Sequence, residues 1–133
     1  MNYLIFRDDG IGDLIVSTSL MQSIKMNDQD AKIYLVCSNR NIELAKIIKN
    51  NDLIQDYINI DVFTSSIKGR ILLFLKIKSL LIHHFIILKS SNLSFFISKL
   101  LNLKKISGIV PLKTKSNIDK LSHIKNGLSP LIL

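Results

Sequence analysis

Short apolar runs alternate with stretches of helical period along residues 1–110, and that alternation leaves the chain few folds to choose from. Residues 2–7, 32–37, 55–60, 84–88 and 105–110 read as strands, while 13–26, 39–50, 67–81 and 93–101 read as helices. Strands separated by helices predict right-handed βαβ crossovers and a parallel sheet covered on both faces. The expected fold is a Rossmann-like α/β domain over residues 1–110 with strand order 3-2-1-4-5. In that order the first and fourth strands adjoin at the switch point. The loops Asp8–Gly12 and Lys89–Asn92 then flank one crevice, where ligands bind in open α/β sheets. Ser38 is the expected cap of the second helix and Thr64 or Ser65 that of the third. Beyond Pro111 the period is lost, so residues 111–133 are expected to form a polar, irregular tail, with apolar Leu128–Leu133 exposed.

The charge is unevenly spread. Residues 1–62 carry nine acids and six bases; residues 63–133 carry one acid, Asp119, and twelve bases. A basic half points to an anionic partner. The bases are mostly lysines with little aromatic interleaving, and no zinc-finger, homeodomain or RNA-recognition signature accompanies them, so nucleic acid is not an expected partner. The run Ile71–Leu88 has the apolarity of a membrane span, but Lys76, Lys78, His83 and His84 inside it are costly at mid-bilayer. A helix and a strand joined at His83-His84 is the reading adopted. The basic face of the 67–81 helix is compatible with peripheral contact with an anionic membrane. The apolar part of the N-terminus is too short for a signal peptide, which predicts a cytoplasmic protein. Cys37 is the single cysteine; in the run Ile33–Cys37 it reads as a small buried hydrophobe.

The chemistry-bearing segment is Arg7-Asp8-Asp9-Gly10-Ile11-Gly12-Asp13, between the first strand and the first helix. Gly10 and Gly12 permit positive φ and close approach of a ligand to the backbone. A helix opening at Asp13 presents N–H groups that suit a phosphate or carboxylate. The dinucleotide fingerprint G-x-G-x-x-G fails here: its third glycine position is Ile15, and Cys37-Ser38 stands where an acid would hold a ribose. No phosphate-binding G-x-x-x-x-G-K-[ST] loop is present either. Asp13 is either a helix-capping or first-turn acid or a general base over the crevice. Asp8 and Asp9 read as solvated loop acids. Arg7 either contacts a phosphate or pairs with Asp8 or Asp9.

The segment Arg7–Leu20 resembles the opening of glycosyltransferase family 9, the ADP-heptose:lipopolysaccharide heptosyltransferase family. That opening is a strand, a basic residue, a G-x-x-G-D or G-I-G-D loop and a helix. Ala31–Asn41, Asn51–Ile60 and Phe85–Gly108 resemble the family's later strands and loops, so the resemblance covers residues 1–110. Ser19 stands where relatives often carry proline, and Ile87 where they often carry an aspartate.

The resemblance implies the N-terminal, acceptor-side half of a GT-B enzyme, with inverting transfer of a heptosyl or hexosyl group and neither metal nor cofactor. Asp13 matches the base, and Gly10 and Gly12 match the loop. Arg7, Lys89, Ser90 and Ser91 are the candidate acceptor-binding residues, the last three from sheet topology. The implied partners are a nucleotide-sugar donor such as ADP-heptose and a lipid-linked sugar acceptor, in lipopolysaccharide or surface-glycan synthesis. The donor-binding second domain is not legible in this sequence, so a truncated chain, inactive alone, is expected. The alternative is a non-catalytic Rossmann-like module binding an anionic glycolipid, a nucleotide or a partner chain.

Overall fold

The computed structural model describes residues 1–89, 91–102, 105–109 and 128–131. The elements run β1 (Asn2–Phe6), α1 (Ile11–Asn27), β2 (Lys32–Cys37), α2 (Ile42–Asn50), β3 (Asp56–Asn59), a one-turn 3-10 helix (Ile60–Val62), α3 (Ile67–Ser79), β4 (His84–Ile87), α4 (Asn92–Leu101), β5 (Lys105–Ile109) and β6 (Leu128–Leu131). The sheet is parallel throughout, in the order β3-β2-β1-β4-β5-β6. The expected order of five strands is therefore present, with the α/β class, and a sixth strand extends it.

That sixth strand departs from the expected irregular tail. Leu128–Leu131 pairs with Ile106–Ile109, which gives β5 a partner on its outer side and moves the open edge outward. An unpaired strand edge is a liability. Pro130 hides this strand from a sequence reading, because proline breaks interior strands but is tolerated at an edge, where its missing N–H costs nothing.

Strand alternation sorts the core into two layers. Leu4 and Phe6 of β1, Phe85 and Ile87 of β4 and Ile106 of β5 pack with Leu73 and Ile77 of α3 and Ile97 of α4. Ile5, Leu35, Cys37 and Ile86 point the other way, onto Leu14 and Met21 of α1 and Ala45 and Ile48 of α2. So α1 and α2 cover one face and α3 and α4 the other. Each large apolar side chain fully buried this way contributes about 1.5–3 kcal/mol relative to exposure. Cys37 is fully buried, as expected, and burial pushes its thiol pKa up to about 12.

The helix starts differ from expectation, for local reasons. α1 opens at Ile11, not Asp13, so Gly12 lies in its first turn. α2 opens at Ile42 with Asn41 at its N-cap, while the Ser38 hydroxyl accepts from the Arg40 N–H at 3.2 Å, in the turn before the helix. Ser66, rather than Thr64 or Ser65, caps α3: its hydroxyl accepts from the Gly69 N–H at 3.0 Å. Thr64 is still within the turn that closes the 3-10 helix, its N–H donating to Ile60. The run Ile71–Leu88 divides into most of α3 and β4, as read. Among the described residues no helix is long and apolar enough to cross a membrane.

Candidate active site

β1 ends at Phe6 between β2 and β4, so the next residue emerges at the switch point. The Arg7 N–H still donates to Val36 of β2, and the Leu88 N–H donates to the Phe6 carbonyl. The Arg7 guanidinium then holds three elements together. Its Nη1 donates to the Leu88 carbonyl at 3.1 Å. Its Nη2 lies 3.0 Å from Asp13 Oδ1 and its Nε 3.0 Å from Asp9 Oδ1. The contact with Asp9 is a close ion pair without an aligned hydrogen bond. Arg7 thus pairs with Asp9 and Asp13, whereas the sequence left phosphate contact and pairing with Asp8 or Asp9 open.

The loop acids are not solvated as expected. The Asp8 and Asp9 side chains are only 16% and 17% exposed, because the loop folds back against the β2–α2 connection. Burial holds the Asp9 carboxyl above its ordinary value; the Arg7 charge opposes that shift, and the neighbouring Asp13 reinforces it. Asp8 Oδ1 has Lys89 Nζ 4.0 Å away. That contact brings the two expected loops, Asp8–Gly12 and the one opening at Lys89, to the same crevice.

Two residues that sequence reasoning did not assign to the site buttress it. The Ser38 hydroxyl donates to the Asp8 carbonyl at 2.6 Å. The Asn41 side chain, almost fully buried, donates to the Arg7 carbonyl at 2.9 Å and accepts from the Ser38 N–H at 3.0 Å. Both carry polar side chains in the connection between buried β2 and α2, at the end of the sheet where ligands bind. That position was the available signal.

Asp13 stands apart in exposure: its side chain is 57% exposed while Arg7 is 14% exposed. One carboxylate oxygen is fixed by Arg7 over a first helical turn whose leading N–H groups have no intrahelical partners. The glycines work differently from expectation. Among the described residues no glycine has positive φ, and Gly10 is extended at φ −71°, ψ 164°. A Cβ at Gly12 would meet nothing within 4 Å, and one at Gly10 would make only ordinary contact with Asp13. The space over Gly12 is open, so close approach by a ligand, not backbone geometry, is what a side chain there would obstruct.

The remaining candidates divide. Lys89 reaches the crevice. Ser91 is spent on the α4 capping box: its hydroxyl accepts from the Ser94 N–H at 3.1 Å, and its N–H donates to the Ser94 hydroxyl. Ser90 lies outside the described residues. The crevice therefore sets one exposed carboxylate beside an arginine, a lysine and the N-terminus of a helix. It can hold a polar, partly anionic ligand with a hydroxyl near Asp13.

No protein-family model and no curated protein matches the chain. Solved structures do. The ADP-heptose lipopolysaccharide heptosyltransferase II of E. coli superposes with a TM-score of 0.64 at 15% identity, over 82% of this chain and 30% of that one. A family 9 glycosyl transferase from Veillonella parvula gives 0.65 at 15% identity, over 80% of this chain and 31% of its own. A prephenate dehydrogenase from A. aeolicus, solved with NAD+, gives 0.60 at 16% identity over 98% of this chain and 40% of its own. The class is thus a doubly wound, Rossmann-like domain of the kind found in GT-B glycosyltransferases. The family 9 resemblance read from Arg7–Leu20 is met at the level of fold, across about a third of the heptosyltransferase's length.

Proposed function

We propose that this domain is the acceptor-side portion of an inverting glycosyltransferase resembling the family 9 enzymes, with Asp13 as general base. The observation that carries the reading is the Arg7–Asp13 pair. A base must be ionised, fixed and reachable. Arg7 fixes one oxygen of Asp13 at 3.0 Å, while more than half of the side chain is exposed, and the space over the neighbouring Gly12 is open. The dinucleotide alternative, which the dehydrogenase's fold raises, is disfavoured by Ile15 at the third glycine position and by Cys37-Ser38 at the end of β2.

The chemistry is a single displacement. The acceptor hydroxyl oxygen attacks the anomeric carbon of the donor sugar, and its proton passes to the Asp13 carboxylate. The bond from that carbon to the nucleoside diphosphate breaks, and the diphosphate leaves with the electron pair. Arg7 is the positioning residue for Asp13, with its charge largely engaged by Asp9 and Asp13. Lys89, which follows β4 and reaches the crevice, supplies charge on the proposed acceptor side. Gly10 and Gly12 keep the approach open. A second α/β unit supplies the donor site, so the described domain alone binds acceptor without transferring. A lipid-linked acceptor, as in lipopolysaccharide synthesis, places the protein on the inner face of the cytoplasmic membrane.

The test uses Asp13→Asn in the chain joined to, or complemented by, a donor-binding unit. Turnover should fall by about 10²–10⁴-fold, the range for removal of a general base, with acceptor binding retained. Near-normal turnover would return Asp13 to a first-turn structural role. Titration of the chain with NAD and ADP separates the rival reading: tight binding of NAD would favour a dinucleotide site.

A further inference from the structure

The Arg7 guanidinium is divided between two acids. Its Nε and Nη2 lie along one edge, an edge that a single carboxylate ordinarily takes with both oxygens. Here Asp9 Oδ1 stands 3.0 Å from Nε and Asp13 Oδ1 3.0 Å from Nη2. The two carboxyls are thereby brought within hydrogen-bonding reach of each other. Their access to solvent differs. Asp13 is more than half exposed, while Asp9 Oδ1 is enclosed and, among the described residues, takes no aligned hydrogen bond. The charges around the pair do not balance. Arg7 reaches it from the end of β1 and Asp13 from α1. Asp8, in the same loop, is faced by Lys89 from the loop after β4. The β2–α2 connection contributes the neutral Ser38 and Asn41, and its Arg40 is exposed. Three carboxylates thus meet two cations, and the negative charge left over is one that a single proton removes.

We propose that Asp9 is a second proton site of the reaction, taking over the proton that Asp13 removes from the acceptor hydroxyl. The inference rests on the transfer reading above and deepens it. The O–H bond on Asp13 breaks as an O–H bond forms on Asp9, and the electron pair left behind restores the Asp13 carboxylate. Asp9 then yields the proton to solvent, and the pair returns to its starting charge. Burial favours the neutral form of a carboxyl, and two carboxyls sharing one site hold a proton jointly. Both effects act on Asp9: burial first, then Asp13, hold its carboxyl above the ordinary range against the pull of Arg7. An enclosed acid that takes the proton leaves the exposed one free to act again.

Carbon-13 NMR titration of the side-chain carboxyls in the full chain reads Asp9 without any transfer taking place. Its midpoint should lie above 3.8 and move to lower pH in Asp13→Asn, which removes the like charge and leaves Arg7 in place. An unmoved midpoint overturns the proposal. In the chain complemented by a donor-binding unit, Asp9→Asn keeps an oxygen for Arg7 but has no carboxylate to protonate. Turnover should fall about tenfold with acceptor binding unchanged, a smaller loss than on removal of the base itself. Asp9→Glu should recover most of that loss. Unaltered turnover in Asp9→Asn overturns the proposal, and a loss shared equally by Asp9→Glu would assign Asp9 to holding Arg7 and overturn it too. Near-normal turnover in Asp13→Asn would sink the transfer reading and this role with it. An unmoved Asp9 midpoint beside lost turnover in Asp13→Asn would sink the role of Asp9 alone.

Discussion

At the scale of single residues the site turns on how one arginine is shared. Arg7 serves Asp9 and Asp13 at equal distance, but the two acids live in different surroundings. Asp9 is largely enclosed, and its enclosure outweighs its attraction to Arg7, so its folded pKa lies above the ordinary value of 3.8. A carboxyl shifted in that direction is protonated more readily in the folded than in the unfolded chain. Its contribution is favourable at low pH and is lost as pH rises from the unfolded value through the raised folded one. Asp9→Asn should therefore leave stability at neutral pH unchanged or slightly higher. It should also flatten the fall in stability above about pH 4 that this group imposes. Urea unfolding of both proteins across acid pH measures this; a steep loss of stability in Asp9→Asn at neutral pH would show that the ion pair dominates instead.

At the scale of elements the glycines separate fold from site. Gly69 sits in the first turn of α3, where a Cβ would run into the backbone carbonyl of Phe63. That carbonyl belongs to the turn ending the 3-10 helix and cannot swing aside as a side-chain tip would. Gly69→Ala should destabilise by about 1–3 kcal/mol, the usual cost of overpacking, read as a lowered thermal midpoint. Gly12→Ala should do the reverse. It meets nothing within 4 Å and exchanges a poor helix former for the best one, a gain of up to about 1 kcal/mol. Any loss in Gly12→Ala should appear in acceptor binding alone.

The elements themselves were legible because buried strands and helix faces leave periodic traces: β2 falls at Lys32–Cys37 as read, and α3 begins at Ile67. Helix starts were less so, since a cap depends on where the chain turns into the helix. Ser38 looked like a cap, but its hydroxyl bonds within the turn before α2, accepting from Arg40 and donating to Asp8. The position of Asp13 in the candidate site was legible from the glycine loop. Its pairing with Arg7, and the burial of Asp8 and Asp9, were not, because both depend on how the loop folds onto Ser38 and Asn41. Gly69 gave no signal at all, since its neighbour is a carbonyl brought close only by the turn.

At the scale of the whole molecule, the sheet formed by the described residues ends at β6, beyond β5. Leu128–Leu131 gives β5 its second partner, so removal of residues 128–133 would leave the β5 backbone open on that side. Amide hydrogen exchange at Ile106–Ile109 should then speed up markedly while β1 and β2, enclosed on both sides, stay protected. Unchanged exchange in β5 would mean that β6 adds nothing to the stability of that edge.

The segregation of acids from bases also gives the molecule a sense of direction. With carboxylates gathered in the β1–β3 half and cations prevailing beyond it, the domain is a permanent dipole, and a negatively charged surface turns it before touching it.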